Sequence, residues 1–547
     1  MGKESGFGGN ATVIGALTLV SRVLGLARES VAASAFGAGG IWTAWTVAFT
    51  VPNLFRKLFG EGALSAAFIP LYARAVKGEG SGAGGLSSRE FALASVNLLC
   101  AILIGLTIVG ELFIAVFYWF VLSRADHLLA AQLTAVMLPY VLLVCGTAFL
   151  GAILQVHGRF AVVAATSIVL NAVLILATAL GMRWFDFSTE AGQTQGVFLI
   201  SVAVLFAGVI QLAMLAPSLR AVGFRFRPVF HVLTPEVRRM LQLSAPVALS
   251  AGVLQVGVML DKGIAFFLAE GGGATSFMLW GREIAYPMVE GAAARLNWAQ
   301  FMYQFPLGVF AIALATAIFP KLAGDAMDLD KTAFRAVLRR GIVAALFIGL
   351  PASVGMIVVA DPAVRLLFQG GKFTDLDARW VILSTIIYSS AIWAFSLQQI
   401  LSRAYYALQD TRTPLIWAGV NLGINLVVEL PLIFTPLRES GMAVGTMVSF
   451  AIQAVAMTLM LSRRIGGIGL RGEARNLTVM VLASMGMGLT CWAITQLPWW
   501  PTGTGKALWA TQLATLMLTG ALSYGMLCRI GGIDVLSMLG RRGKTAI

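Results

Sequence analysis

Runs of about twenty apolar residues recur along the whole chain. At about 1.5 Å per helical residue, a run of that length crosses a hydrocarbon layer roughly 30 Å thick. Hydropathy places fourteen such segments, near 11–36, 40–59, 91–119, 130–156, 161–183, 196–217, 241–269, 296–319, 336–360, 380–408, 414–435, 441–462, 476–497 and 507–528. Only 12% of the residues are charged, against roughly a quarter in soluble proteins. The expected fold is therefore an all-α integral membrane protein with fourteen transmembrane helices.

Basic residues set the orientation. Most of the Lys and Arg residues outside the spans fall in connections after even-numbered spans or at the termini, among them Arg225, Arg227, Arg238, Arg239, Arg463, Arg464, Arg541, Arg542 and Lys544. Cationic loops stay on the cytoplasmic side, so both termini are expected there. The net charge of +14 then reports topology and not a nucleic-acid partner. Arg22 and Arg28 within the first apolar run argue against a cleaved signal.

An internal repeat is legible. Leu154-Gln155 and Leu408-Gln409 close long spans, and Asn171 and Asn425 follow at equal distance in the next span. Phe68-Ile69-Pro70 and Ile318-Phe319-Pro320 close segments at a similar offset. Spans 1–6 and 7–12 thus read as two pseudo-repeated six-helix lobes, a common transporter plan. The expected domains are an N-lobe at 1–219, a basic cytoplasmic connector at 220–240, a C-lobe at 241–465, and two further helices with a basic tail at 466–547.

Cys100, Cys145, Cys491 and Cys528 lie in or beside apolar runs without metal-type spacing, and His127, His157 and His231 are scattered at loops or span ends. They read as packing and loop residues. Trp119, Trp499 and Trp500 fall at span ends and read as interfacial anchors. The glycine-rich stretches 78–85 and 271–273 read as flexible loops.

Chemistry concentrates in the first two spans. An ionisable side chain within the bilayer costs roughly 2.5–3.5 kcal/mol on insertion scales, so each requires a reason. Arg22 and Arg28 are six residues apart, about 9 Å along a helix, and Glu29 stands beside Arg28 as a neutralising partner. Arg56 and Lys57 follow Pro52, which removes a backbone hydrogen bond and should bend the second span. Snorkelling to an interface accounts for Lys57 and partly for Arg28. It accounts poorly for Arg22, which a long apolar stretch precedes. Guanidinium binds phosphate in bidentate fashion and stays charged at any relevant pH, so these residues point to an anion-binding cavity.

The segments Ser21–Arg28, Phe36–Gly39, Pro52–Ala63 and Ala67–Pro70 resemble the MurJ (MviN) family, whose members are lipid II flippases of the MOP transporter superfamily. Phe305–Val309, Gly371–Thr374 and Gln409–Pro414 extend the match, in order, to the eleventh span. The resemblance implies a location in the bacterial inner membrane, alternating access and a substrate of undecaprenyl-pyrophosphate bearing the peptidoglycan disaccharide-pentapeptide. It implies membrane lipid and the cell-wall synthesis machinery as partners, a monomer, and no enzymatic step. Arg22, Arg28 and Arg56 match the family's essential cavity arginines, and Glu61 its acidic residue after the second span, a candidate gate partner with Glu29. Thr43 stands where the family usually has an acidic residue, and Gln300 and Phe301 stand where it has an acid–arginine pair. Arg295 or Lys262 could supply the missing cation. The connection from Gly271 to Arg295 is longer than usual.

A second constellation comprises Asp261 with Lys262 in span seven and Asn421 with Asn425, one turn apart on one face, in span eleven. These could supply oxygen ligands for a monovalent cation such as sodium. The other reading is charge compensation within Asp261-Lys262 plus interhelical amide hydrogen bonds. No other cofactor is expected. Competing functions are a flippase for another polyprenyl-pyrophosphate oligosaccharide and a transport-dead scaffold. A drug exporter would want acidic cavity residues. A glycosyltransferase would need an acidic cluster, and Asp325, Asp328 and Asp330 read as solvated loop residues.

Overall fold

A computed structural model describes residues 5–60, 63–77, 87–120, 122–228, 232–326 and 331–534. Glu61, Asp328 and Asp330, His231, the 78–85 stretch and the basic residues of the C-terminal tail lie outside them. The order is α1 (Ser5–Phe36), α2 (Gly40–Phe55), a π-turn (Arg56–Gly60), α3 (Ala63–Val76), α4 (Ser88–Phe120), α5 (Ala125–Met137), α6 (Tyr140–Val156), α7 (Phe160–Trp184), α8 (Glu190–Ala221) and α9 (Pro235–Phe267). A short hairpin, β1 (Ser276–Leu279) and β2 (Arg282–Ala285), precedes α10 (Ala292–Pro306), a second π-turn (Leu307–Ala311) and α11 (Ile312–Asp325). Then come α12 (Thr332–Phe368), α13 (Asp375–Ser389), α14 (Ile392–Ala407), α15 (Arg412–Leu432), α16 (Ser440–Arg464), α17 (Ala474–Thr495) and α18 (Lys506–Ile530).

Nine helical segments among the described residues are long and apolar enough to cross a bilayer, and eleven if two bent pairs each count as one span. The bent pairs are α5–α6, with 43° between them, and α13–α14, with 45°. Pro139 lies at the first break and withholds a backbone donor there. The three remaining expected spans correspond to α1, α2 with its π-turn, and α9, and they carry Arg22, Arg28, Glu29, Arg56, Asp261 and Lys262. Fourteen spans are consistent with this count. The apolar surface confirms the solvent: Ile108, Val109, Leu112, Phe113 and Val116 of α4 are all exposed, an arrangement only lipid would favour.

The contacts divide the chain into two compact units. The first is Met1–Ala294 with Gly370–Phe373; the second is Arg295–Gln369 with Thr374–Ile547. In the first, α7 packs on α1 and α8, α5 on α2, and α4 on α6. A ladder of stacked rings, Phe36, Trp42, Trp45 and Phe49, joins the end of α1 to α2. By these contacts α9 belongs to the first unit, packing on α2, α3 and the π-turn, whereas the repeat had grouped it with 241–465. The tetrapeptide Gly370–Phe373 also packs in the first unit. The Lys372 amide donates to Ser34 O at 2.9 Å, and a Cβ on Gly371 (φ +57°) would lie 2.2 Å from that oxygen. Only glycine fits this approach.

In the second unit, α12 is the central post, and α11, α13, α14, α17 and α18 pack on it. Phe334, Leu338, Ile342, Leu401, Tyr405, Met457 and Leu461 form its main core. Tyr524 docks α18 by donating to Phe347 O at 2.9 Å. The two π-turns lie about 250 residues apart, each within one turn of a proline, Pro52 and Pro306. That offset matches the repeat inferred from Asn171/Asn425 and Pro70/Pro320. π-turns of this kind recur at functional sites.

Candidate functional site

Within the first unit, α1 is fixed beside Arg22 by α7. Asn171 Nδ2 donates to Ser21 O at 3.1 Å and to Ser167 O at 3.2 Å, which gives the repeat asparagine a structural task. Arg22 itself is half-buried, and among the described residues no ion pair or hydrogen bond engages its guanidinium. Two turns on, Arg28 Nη2 lies 2.5 Å from Glu29 Oε1, with Glu29 buried and Arg28 half-buried. The expected neutralisation of Arg28 is present.

Arg56 opens the first π-turn. Its Nε donates to Asn53 Oδ1 at 3.2 Å, so the side chain lies back along the turn that follows Pro52. Tyr140 of α6, fully buried, is within electrostatic range of both Arg56 and Arg28. Cys145, whose Sγ is 3.5 Å from Phe55 O, is within range of Arg56. The two arginines thus share a neighbour, although 28 places separate them in the sequence. Lys262 of α9 is half-buried and within range of Lys57, Glu29 and Arg28. The structure therefore collects Arg28, Arg56, Lys57 and Lys262 in one region, where cations outnumber carboxylates. Such a field favours a multiply charged anion.

Other expected residues are placed differently. Arg295, a candidate for the missing cation, is 3% exposed at the start of the second unit. Its Nε donates to Glu439 Oε1 at 2.6 Å, and its Nη1 lies 3.4 Å from Asp377 Oδ1. Asp377 also closes a capping box with Thr374. A guanidinium enclosed by two carboxylates has its charge satisfied by the protein, so Arg295 is a structural cation and not a substrate ligand. Sequence reasoning missed Glu439 and Asp377 because they are far from Arg295 along the chain. At the position of the family's usual arginine, Phe301 follows Gln300, which donates to Tyr388 Oη at 3.3 Å. Tyr388 stacks on Tyr303, and Tyr303 on Phe395, so this region is filled by aromatic packing.

Thr43 is buried, and its hydroxyl donates to Gly39 O within its own helix at 2.9 Å. It therefore supplies no charge where the family usually has one, at a position expected from the sequence to belong to the gate. The cation-site residues fall in different units, Asp261 in the first and Asn421 and Asn425 in the second. Asn425 Nδ2 donates to Glu429 Oε2 at 3.0 Å, so the polar face of α15 runs Asn421, Asn425, Glu429. The spacing of four extends to Glu429 and could have revealed it. Gly445 of α16 approaches this face so closely that a Cβ would lie 2.9 Å from the Glu429 side chain. Trp119 and Trp499 are exposed as interfacial anchors should be, while Trp500 packs against Val359, Cys491 and Leu516.

Comparison with known proteins identifies the family and the fold. The family model described as "Lipid II flippase MurJ" matches residues 32–508. A "Probable lipid II flippase MurJ" of Rhizobium tropici is 31% identical over 533 residues, covering 95% of this chain and 94% of its own. A "Lipid II flippase MurJ" of Burkholderia cenocepacia is 27% identical, covering 95% and 96%. A solved lipid II flippase MurJ in an inward closed conformation superposes with a TM-score of 0.71 at 21% identity, over 95% of this chain and 99% of that one. An inward-facing multidrug resistance MATE transporter of the MOP superfamily superposes with a TM-score of 0.61 at 14% identity, over 84% and 98%. At those identities the superpositions speak to fold alone.

Proposed function

The chain belongs to the lipid II flippase MurJ family, and on that footing we propose that Arg22, Arg28 and Arg56 hold the pyrophosphate of lipid II while the headgroup crosses the membrane. The protein is a multi-pass membrane transporter of a lipid-linked peptidoglycan precursor. The observation that carries the site assignment is the gathering of Arg28, Arg56, Lys57 and Lys262 from three separate elements beside one buried carboxylate, Glu29. Lys262 supplies the cation that the family places at the position of Phe301. Its ammonium is a compact point charge and lacks the fork of arginine, so it contributes attraction more than orientation.

Transport on this reading needs no bond to be made or broken. The polyprenyl tail stays in lipid, the headgroup occupies the cationic region, and the access of that region alternates between the two sides. Glu29 competes with the substrate for Arg28, and a pyrophosphate with its greater charge displaces it. Glu61 serves as the second gating carboxylate. The protein acts as a monomer in the inner membrane with both termini cytoplasmic, delivering substrate to the cell-wall synthesis machinery. Sodium coupling belongs to the same proposal. It predicts that replacing sodium by choline slows transport, and an unchanged rate would remove it.

Native mass spectrometry of the purified chain tests the headgroup. Lipid II should be retained in preference to other polyprenyl-pyrophosphate glycolipids. Equal retention of an unrelated oligosaccharide lipid would move the assignment to a different cargo, and retention of neither would favour a scaffold.

A further inference from the structure

The long connection between α9 and α10, of which 271–273 reads from sequence as a flexible loop, contains an ordered hairpin. Ser276 pairs with Ala285, Phe277 with Ile284, Met278 with Glu283 and Leu279 with Arg282, in antiparallel register. Both central residues of the turn have positive φ, 48° at Trp280 and 76° at Gly281. This is the type I′ form that suits the twist of a two-residue hairpin. Glycine enters that region freely, but a bulky residue does so rarely. The tight turn nonetheless holds Trp280 at the tip, 95% exposed.

Side chains alternate across a strand, and the register divides the hairpin into two faces. Phe277, Leu279 and Ile284 fall on one face with Arg282. Tyr286 extends that face, its ring 5.1 Å from that of Phe277. On the other face Ser276 donates to Glu283 Oε1 at 2.5 Å, beside Met278 and Ala285. The first face carries the bulkier apolar side chains, which run from the base toward the tip.

The base is held firmly within the first unit. Arg124 Nη1 donates to Ala269 O at 3.0 Å, and its guanidinium lies 4.9 Å from the Tyr286 ring centroid. Arg124 Nη2 also pairs with Asp126 at 2.6 Å, and the Glu270 amide donates to Met288 O at 2.9 Å. A Cβ on Gly271 would lie 2.5 Å from the Arg124 and Asp126 side chains. Arg124 follows closely on α4, whose last residues, Trp119 and Phe120, are exposed at the end of its lipid-facing flank. The other stem leaves α9 just beyond the exposed Phe267. The hairpin therefore springs from the level at which two membrane helices end.

We propose that this hairpin is an interfacial paddle. Its apolar face and Trp280 lie in the headgroup zone of the bilayer that the chain spans, and Arg282 meets lipid phosphate there. Continuity with the lipid-facing flank of α4 favours lipid over a protein as the occupant. So does the pairing of an exposed tryptophan with an arginine, the composition that seats peptides at a membrane surface. Four residues per strand span about 13 Å, which keeps the tip within the depth of the interface. The inference is independent of what the protein transports.

The full chain carrying Trp280→Cys in a Cys100→Ser background, labelled with an environment-sensitive fluorophore, tests this in nanodiscs of phosphatidylethanolamine and phosphatidylglycerol. The three remaining cysteines are buried. Nitroxide lipids labelled near the headgroup should quench the probe several-fold more than aqueous iodide does. A label at Glu283→Cys, on the opposite face, should show the reverse preference. A label at Leu279→Cys, on the face of Phe277 and Ile284, should become several-fold more accessible to iodide when Trp280→Asp is added. Strong iodide quenching at position 280 with silent nitroxide lipids would place the hairpin in water and overturn the proposal. Protection at position 280 in native membranes that disappears in nanodiscs would assign the tip to a protein partner and overturn it equally.

Discussion

In the second unit Arg295 is enclosed, its guanidinium bonded to Glu439, in the turn before α16, and close to Asp377 of α13. In the first unit Arg22 is half-buried, and among the described residues no carboxylate meets it; Arg28 has one partner, its chain neighbour Glu29. Both units belong to one membrane-spanning chain, and both contain arginines that a bilayer disfavours. The difference lies in what neutralises them. A guanidinium satisfied by the protein ties helices together, and one left incompletely satisfied retains affinity for a ligand. Burial of an arginine is therefore a poor guide to function until its counter-charges are known.

The largest effect is expected at the enclosed site. Arg295→Ala strands two carboxylates, and breaking a buried pair costs about 3–5 kcal/mol. Thermal unfolding of the purified protein should move sharply downward, with little properly folded protein recovered. Unchanged stability together with lost transport would return Arg295 to the substrate site and erase the contrast between the units.

Arg22→Ala should do the opposite. Membrane insertion and thermal stability are expected to stay near those of the parent, while complementation of a flippase-depleted strain falls by about 100-fold or more, as expected on losing a bidentate phosphate ligand. Normal growth would refute its place in the cavity. An intermediate effect, about tenfold weaker lipid II retention, is expected for Lys262→Gln, with Lys262→Arg retaining most of it. Equal loss in both variants would mean that the shape of the lysine side chain matters, not its charge.

The smallest effect is expected in the loop between α6 and α7. There Tyr72 Oη lies 3.2 Å from His157 Nε2. Burial first, and Arg159 second, hold the imidazole below its ordinary value of 6.5. As pH falls, the unfolded chain takes the proton before the folded one does. The contribution to stability is thus complete above about pH 6.5 and is lost as pH drops through the lowered folded-state value. Between pH 7.5 and pH 5 this amounts to a shift of about 1–2 °C, which His157→Asn should abolish. An equal pH dependence in that variant would assign the titration to another group.

Much of this was legible in the sequence, for reasons that particular residues make clear. Apolar runs located α4, α7, α15 and α16 to within a few residues, because a bilayer demands an uninterrupted stretch. Arg28 and Glu29 were readable as a pair because they are adjacent. The bend between α13 and α14 was not legible, since Ser390-Ala391 contains no proline to mark it. The Arg295–Glu439 bond was hidden because it joins helices 144 positions apart, and single-sequence patterns register only near neighbours. The hairpin escaped because four-residue strands are too short for their alternation to stand out beside Gly271-Gly272-Gly273. The Lys262 neighbourhood depends on α9 packing against the first unit, which the repeat argued against.

The π-turn at Arg56–Gly60 concentrates sensitivity to length at one point. A wide turn accommodates one residue more than a regular helix would. Deleting a single apolar residue there lets the turn close into regular helix, so hydropathy and the course of the chain beyond it change little. Arg56 and Lys57 would be re-aimed while Arg28 stayed in place. A one-residue gap at this point in an alignment, or in a redesigned variant, therefore alters the anion site more than many substitutions would.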